Sequence, residues 1–247
     1  MELEEFALGN TWVHSLDPRI KIVVAVIFSV LVALNNSLGS SLLSLALPVF
    51  LVLSARLDLR AVFVRLAIVN GFILFIWMFL PFTTRGETLY TLGPLSIQRE
   101  GIHQALLITV KSNSIILMGL ALLGTSEIFT LVHALSHLGM PDKLVHLFFF
   151  CFRYIHVIHD EYHRLVNAMK MRGFQPRTNI HTYRSYAYLV GMLLIRSFDR
   201  SKRILNAMKC RGFKGRFYIL HHYEMKRYDY ALALSSLAFS VAILAIR

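Results

Sequence analysis

The 247-residue sequence is poor in charged side chains and in cysteine. Charged residues make up 16% of the chain and hydrophobic residues 56%, whereas soluble domains carry about 25% charged residues. This shortage excludes an ordinary soluble domain and predicts an integral membrane protein. The two cysteines, Cys151 and Cys210, form neither a Cys-x-x-Cys pair nor a zinc spacing, so we expect no disulfide framework.

Catalytic and nucleotide-binding motifs are missing as well. The sequence contains no Gly-x-x-x-x-Gly-Lys-Ser/Thr phosphate-binding loop, no Gly-x-Ser-x-Gly and no His-Glu-x-x-His. We therefore expect no enzyme and no cofactor, and energy from ATP would have to come from a partner. The acidic start, with Glu2, Glu4 and Glu5, lacks the basic and apolar regions of a cleavable signal peptide.

Long apolar runs are what the chain does contain. A membrane-spanning helix needs about 20 apolar residues, and five runs approach this length: residues 20–36, 38–55, 62–82, 102–123 and 228–246. We predict an all-α membrane protein with about five transmembrane helices plus a cytoplasmic domain of long coupling helices. The predicted regions are a membrane domain of four spans (1–124), a cytoplasmic coupling domain (125–227) and a C-terminal transmembrane helix (228–247).

Most of the positive charge lies in one segment. The formal net charge is +12, and residues 125–227 hold 17 Lys and Arg against 6 Asp and Glu, a net charge of +11. Because Lys and Arg are retained on the cytoplasmic side of a membrane, we predict that this segment and the N-terminus are cytoplasmic and that the 83–101 loop and Arg247 are external. The segment favours helices over about 126–138, 142–172 and 183–211, with Ser126 as the first N-cap.

The basic segment contains an internal repeat. Residues 160–174 match residues 199–213 at nine of fifteen positions with an offset of 39, and both copies contain Asn-Ala-Met-Lys-x-Arg-Gly-Phe. The pattern predicts two helices that end in the same way. Helix termination alone needs only a glycine and a cation, so the longer match indicates similar contacts with a dimeric or pseudo-dimeric cytoplasmic partner.

The Arg-Gly pair of each copy carries the predicted contact. Gly173 and Gly212 suit the left-handed position that follows a helix, and Arg172 and Arg211 lie in the last turn, where a cation is favoured. A guanidinium exposed at such a helix end can bind a carboxylate through two hydrogen bonds.

These features resemble the T component of the energy-coupling-factor transporters, the ATP-driven vitamin and metal uptake systems of prokaryotes. In that family two cytoplasmic coupling helices each end in x-Arg-Gly, and Met171-Arg172-Gly173 and Cys210-Arg211-Gly212 match this motif without its usual first Ala. Leu16-Asp17-Pro18-Arg19-Ile20-Lys21 resembles the family's entry to the first span. Further matches are Gly9-Asn10-Thr11, Leu80-Pro81-Phe82, Thr125-Ser126, Pro141, Arg153-Tyr154 and Glu161.

The resemblance implies a scaffold in the prokaryotic plasma membrane that joins a substrate-binding membrane subunit to two ABC-type ATPases. It implies that the ATPase contacts are made by Arg172, Gly173, Arg211 and Gly212, with support from Lys170, Met171, Lys209 and Cys210. The N-terminal motif is most similar to the cobalt/nickel branch, and a vitamin-type T component is the alternative.

Two other classes of function stay open. A membrane-tethered binder of nucleic acid or anionic lipid would use the +11 segment, and its salt dependence would be spread over many Lys and Arg. A self-contained channel or carrier would need a polar path, which only Lys111-Ser112-Asn113-Ser114 in the fourth span offers. A charge there is costly, so Lys111 either makes hydrogen bonds between helices or contacts a substrate subunit.

Two groups of histidines have spacings that can hold a metal on one helical face. They are His133 with His137, and His156 with His159 and His163. We interpret both groups as polar-face residues and expect no metal site.

Overall fold

The computed structural model describes residues 6, 7, 9, 11–84, 88–92, 95–213 and 227–245, and gives the backbone alone for 88–92, 95–97, 227, 244 and 245. This part of the chain is almost entirely helical. Its helices are α1 (Pro18–Leu34), α2 (Leu38–Ser44), α3 (Ala46–Ser54), α4 (Leu59–Thr83), α5 (Arg99–Leu122), α6 (Ile128–His137), α7 (Asp142–Met171), α8 (Ile180–Cys210) and α9 (Arg227–Ala245). Strands β1 (Thr88–Leu92) and β2 (Leu95–Gln98) form an antiparallel hairpin between α4 and α5.

The predicted class, an all-α membrane protein, is confirmed. Helices α4 and α5 have 25 and 24 residues and are each long and apolar enough to cross a bilayer. Helices α1 and α9 have 17 and 19 residues, and the count of five spans stays a prediction. The hairpin inside the 83–101 loop was not predicted, and Arg85, Glu87 and Arg247 of the topology prediction lie outside the described residues.

The second predicted span is divided into α2 and α3. The break falls at Leu45, three residues before Pro48. Proline has no N–H to donate, and its ring clashes with the carbonyl four residues earlier, here that of Ser44. The proline therefore explains why the run of 38–55 does not form one regular helix.

The chain divides into two compact units. Unit 1 comprises Met1–Leu138 and Tyr223–Arg247, and unit 2 is Gly139–His222 and contains α7 and α8. Helix α6 belongs to unit 1, although the predicted coupling domain begins at residue 125. The predicted placement of these regions relative to the membrane stays a prediction.

Polar side chains of α5 connect it to several helices of unit 1. The amides of Asn70 in α4 and Asn113 in α5 exchange two hydrogen bonds of 3.0 Å. Nε1 of Trp77 donates to Oγ1 of Thr109 at 3.0 Å. Hydrogen bonds of this kind between helices stabilise helix packing within a membrane.

Lys111 of α5 contacts the end of α1. Its Nζ donates to the backbone carbonyl of Ala33 at 2.9 Å and to Oδ1 of Asn36 at 3.4 Å. The Ala33 carbonyl lies in the last turn of α1, where it has no partner within the helix and where the helix dipole attracts a cation. Of the two hypotheses for Lys111, the structure therefore supports hydrogen bonding between helices.

The Asp-Pro-Arg-x-Lys motif begins α1 and connects it to α9. The Asp17 carboxylate accepts a hydrogen bond from the Arg19 N–H at 2.9 Å, and Pro18 occupies the first helical turn, as expected for a helix start. The backbone N–H of Asp17 donates to Oδ1 of Asp229 at 3.1 Å. Both carboxylates are buried, so the motif fixes two helix starts against each other.

Lys21 closes the motif and is fully buried. Its ammonium donates to Oγ of Ser126 at 2.8 Å and to Oγ1 of Thr125 at 3.2 Å, in the connection between α5 and α6. It also donates to the His14 carbonyl at 3.4 Å and is attracted by the Asp229 carboxylate. One ammonium thus holds together the N-terminal segment, α1, the α5–α6 connection and α9.

The prediction that Ser126 is the N-cap of the following helix is wrong. Helix α6 begins at Ile128, Glu127 occupies the N-cap position, and Glu127 makes no side-chain capping hydrogen bond. The Ser126 hydroxyl instead accepts the hydrogen bond from Lys21. The role of Ser126 is therefore set by Lys21, a distant partner that the local sequence does not reveal.

Replacing Lys21 by Met should destabilise unit 1 by about 3–5 kcal/mol, because it removes the buried cation and leaves buried carboxylates and hydroxyls without it. Thermal unfolding in detergent, followed by circular dichroism, measures the effect. The matched control is Lys143→Met, at an exposed lysine, which should change stability by less than about 0.5 kcal/mol. Equal unfolding temperatures for the two variants would contradict the assignment.

Candidate functional site at two helix tips

Helices α7 and α8 have 30 and 31 residues, which corresponds to about 45 Å each at 1.5 Å per residue. We call their ends the first tip (residues 169–174) and the second tip (residues 208–213). These two segments contain every residue that the sequence predicts to contact an ATPase.

The first tip ends α7 in a Schellman motif. Gly173 has a φ of +79° and its N–H donates to the Lys170 carbonyl at 3.0 Å. The N–H of Phe174 donates to the Met169 carbonyl at 3.1 Å. These two backbone bonds satisfy carbonyls that the helix itself cannot, and only glycine adopts the left-handed conformation without steric cost.

The second tip ends α8 with the same hydrogen bonds. Gly212 has a φ of +81° and donates to the Lys209 carbonyl at 3.0 Å, and Phe213 donates to the Met208 carbonyl at 3.0 Å. The predicted left-handed conformation is confirmed for both glycines. The two copies of the repeat are therefore also alike in backbone geometry.

The two tips expose the same positions. In each copy the methionine and the phenylalanine are half-buried, while the residues between them face solvent. The exposed residues are Lys170, Met171, Arg172 and Gly173 in the first tip and Lys209, Cys210, Arg211 and Gly212 in the second. Within the described part of the chain neither Arg172 nor Arg211 forms an ion pair, so both guanidiniums are available to a partner.

Part of the repeat has a structural explanation that sequence analysis missed. A Schellman motif is usually accompanied by an apolar contact between the residue that accepts the outer hydrogen bond and the residue that donates it. These positions are Met169 with Phe174 and Met208 with Phe213. The methionine and phenylalanine thus belong to helix termination, and the exposed lysine and arginine are the shared residues that a partner could recognise.

Helices α7 and α8 run in opposite directions within unit 2. Glu161 of α7 contacts Arg196 of α8, and just beyond the end of α7 the ring of Phe174 lies 5.8 Å from the ring of Tyr186 in α8. Partner numbers on α8 therefore fall as numbers on α7 rise. As a result, the two tips lie at opposite ends of the contact between the helices.

The repeat gives this helix pair an approximate twofold symmetry. The offset of 39 relates Glu161 to Arg200, and these two equivalent residues meet, with Oε2 of Glu161 3.8 Å from Nη2 of Arg200. A contact between equivalent positions lies on a twofold axis. Arg172 follows Glu161 by 11 positions and Arg211 follows Arg200 by the same number, about 16 Å of helix in each case.

Three arginines surround the carboxylate of Glu161. The side chain of Glu161 is only 12% exposed. It accepts a hydrogen bond from Nη1 of Arg196, and Nη1 of Arg164 lies 3.7 Å from Oε2. The hydrogen bond from Arg196 and the positive charges of all three arginines lower the pKa of Glu161. Glu161 was predicted only as a match to the family, and no role was predicted for it, for Arg196 or for Arg200. The sequence signal that could have found this cluster is the exchange of an acidic for a basic residue at the equivalent repeat positions 161 and 200.

An apolar cavity of about 410 Å³ lies beside this ion cluster, between α7 and α8. Its lining includes Tyr154, Ile158, Ile204, Leu205 and Met208. Close-packed helices leave few spaces of this size. The helix pair is therefore loosely packed between the ion cluster and the second tip.

The histidines form two close pairs. Nε2 of His159 lies 3.0 Å from Nε2 of His163, and Nε2 of His133 lies 3.3 Å from Nε2 of His137. Among the residues that the structure describes, no group of three or more His, Cys, Asp or Glu could hold a metal ion. His156 is in neither pair.

The fold and the two tips together define a helical membrane protein with a pair of similar, Arg-terminated helices. The sequence profile of the cobalt transport protein family, CbiQ, matches residues 9–219. The chain belongs to this family.

Similar proteins include several named energy-coupling factor transporter transmembrane protein EcfT. The protein from Listeria innocua is 29% identical over 184 residues, which cover 71% of this chain and 69% of the relative. That from Streptococcus equi is 28% identical over 180 residues, 69% of this chain and 67% of the relative. That from Ruminiclostridium cellulolyticum is 24% identical over 207 residues, 80% of this chain and 78% of the relative.

Replacing Gly173 or Gly212 by Ala should destabilise its tip by about 1–2 kcal/mol, because an L side chain is strained in the left-handed conformation. Gly191→Ala is the matched control: Gly191 lies inside α8 with no neighbouring atom within 4 Å of an added Cβ, so that change should stabilise the helix by roughly 0.5–1 kcal/mol. Hydrogen exchange of the last-turn amides measures both effects. Equal protection in all three variants would contradict the Schellman assignment.

Glu161 should titrate below the ordinary glutamate pKa of about 4.3, and Arg196→Ala should raise its pKa. Because the pKa is lowered on folding, the stability that Glu161 contributes is complete above the ordinary pKa and is lost as the pH falls through the lowered value. Carbon-13 NMR of the labelled Glu161 carboxyl group in micelles measures the midpoint. A midpoint at or above the ordinary value would contradict the ion cluster.

Proposed function

We propose that this protein is the transmembrane scaffold, or T component, of an energy-coupling-factor transporter. In this role it joins two cytoplasmic ABC-type ATPases to a substrate-binding membrane subunit and is not itself an enzyme. The observation that carries the proposal is the pair of matching tips, each with an exposed arginine held on a Schellman-terminated helix.

Arg172 and Arg211 are the proposed contacts with the two ATPases. Each guanidinium presents a planar set of donors that can bind a carboxylate in a bidentate manner. The neighbouring lysine at each tip, Lys170 or Lys209, adds positive charge, and the left-handed glycine keeps Cβ atoms away from the end of the helix. Because the tips lie at opposite ends of an approximately twofold helix pair, they suit two subunits that are themselves related by a twofold axis.

Helix α8 offers a surface for the substrate-binding membrane subunit. Apolar residues at helical spacing form one stripe along α8. Their exposed fractions are high for apolar residues: 84% for Ile180, 67% for Leu194 and 59% for Phe198. Tyr183 and Val190 lie on the same face. A large exposed apolar surface marks a site of interaction with another protein or with the membrane. A partner protein that is itself embedded in the membrane fits this description.

The transported substrate is proposed to be a cobalt or nickel ion. Support comes from the description of the matching family, cobalt transport protein, and from the N-terminal motif. Multi-pass insertion in the prokaryotic plasma membrane, with the N-terminus and residues 125–227 in the cytoplasm, agrees with the excess of Lys and Arg in that segment. Nucleic acid is not a proposed partner.

The test is co-purification with the cognate ATPases and uptake of Co²⁺ and Ni²⁺, measured as cellular metal by mass spectrometry. Arg172→Ala and Arg211→Ala should each weaken ATPase binding about tenfold, a loss of about 1.4 kcal/mol per tip. The double variant should lose both assembly and uptake.

Arg203→Ala is the control, since Arg203 is exposed and identical in the repeat but lies about two helical turns before Arg211. The proposal expects this variant to bind ATPase normally. A general basic surface instead predicts equal losses from Arg203 and Arg211 and a steep salt dependence. A double tip variant that still assembles and transports would disprove the coupling role.

A further inference from the structure

Glu161 lies where α7 and α8 contact each other through charged side chains. It lies at the contact between equivalent repeat positions, and each arginine tip lies 11 positions beyond that contact on its own helix. Each tip is therefore carried on an arm of about 16 Å. A small rotation at the contact moves both tips, and moves them symmetrically.

The contact is polar and its surroundings are loosely packed. On the side toward the second tip, a cavity of about 410 Å³ lies between α7 and α8. On the side toward the first tip, Phe174 and Tyr186 make an edge-to-face ring contact. The Glu161 carboxylate, with a direct hydrogen bond to Arg196 and a longer ion pair to Arg200, is the directional interaction between them.

The charges at the axis differ between the two copies for a physical reason. Equivalent residues meet at a twofold axis, so two glutamates or two arginines there would repel each other. The chain instead places Glu161 on α7 and Arg200 on α8. The two copies of the repeat therefore differ at this position, where two identical charged residues would push the helices apart.

From these observations we infer that Glu161 is a positioning residue that fixes the crossing of α7 and α8 and so sets the distance between Arg172 and Arg211. Arg196 is its principal partner and Arg200 its second. The consequence for transport rests on the proposed function: two ATPases that change their separation must move both tips, and Glu161 makes the two helices respond as one body.

The test measures the distance between the tips directly in the full chain in nanodiscs. Spin labels are attached at Ala168→Cys and Ala207→Cys, which are exposed equivalent positions one turn before Arg172 and Arg211, in a background with Cys151→Ser and Cys210→Ser. Double electron–electron resonance then gives the distance distribution. Glu161→Gln should broaden the distribution and shift its mean relative to the labelled chain that keeps Glu161, because the crossing of the helices is then no longer fixed by the carboxylate.

Three further variants keep the test independent of folding in Glu161→Gln. Arg196→Ala should broaden the distribution more than Arg200→Ala, and Glu161→Gln combined with Arg196→Ala should resemble Glu161→Gln alone, because the two residues act through one contact. The control is Asp199→Asn, which removes one exposed carboxylate next to Arg200 and should leave the distribution unchanged. If Glu161→Gln and Arg196→Ala both give the distribution of Asp199→Asn, the inference is wrong.

A functional arm uses the unlabelled chain with its native cysteines in the complete complex. Glu161→Gln should retain both ATPases and their hydrolysis of ATP while Co²⁺ or Ni²⁺ uptake falls severalfold. This outcome differs from that of the tip variants, which lose assembly. The distance measurement does not involve the ATPases, so it can overturn the positioning role while the proposed function stands, and the reverse also holds. Normal uptake with a widened distance distribution would contradict the link between tip spacing and transport.

Discussion

A single buried ammonium, that of Lys21, is the interaction on which the organisation of unit 1 depends. Its hydrogen bonds reach Thr125 and Ser126, and its charge is balanced by Asp229. An unpaired charge in such a place costs several kcal/mol, so the helix ends that surround Lys21 must be present together. Hydrogen bonds to a charged group are directional, so they fix the positions of the helix ends closely. Apolar contacts between helices are not directional and tolerate small shifts.

The sequence was sufficient to predict most helices and both tips, because these features are local. Apolar runs of membrane length, a terminal glycine and a repeat of fifteen residues are visible without knowledge of the fold. The left-handed conformation of Gly173 and Gly212 follows from the same local logic. The division between α2 and α3 was also accessible in principle, since Pro48 marks it.

Features that depend on distant partners were not predictable in the same way. The sequence near Ser126 favours a helix cap, but Lys21, 105 positions away, takes its hydroxyl. Glu161 matched the family from its sequence, but its ion cluster depends on α8, which places Arg196 and Arg200 around it. The part that Met169 and Phe174 take in ending a helix was missed, because only the glycine and the arginine of the repeat were attributed to helix termination.

The exposed apolar stripe of α8 has a consequence for the life of the protein in the cell. In the proposed complex a partner covers Ile180, Leu194 and Phe198, which are exposed in the chain alone. An unassembled copy should therefore be a target for the chaperones and proteases of the cell. The abundance of this chain should therefore follow that of its partners. Stoichiometry of the complex would then be maintained by degradation of unassembled copies, without any matching of synthesis rates.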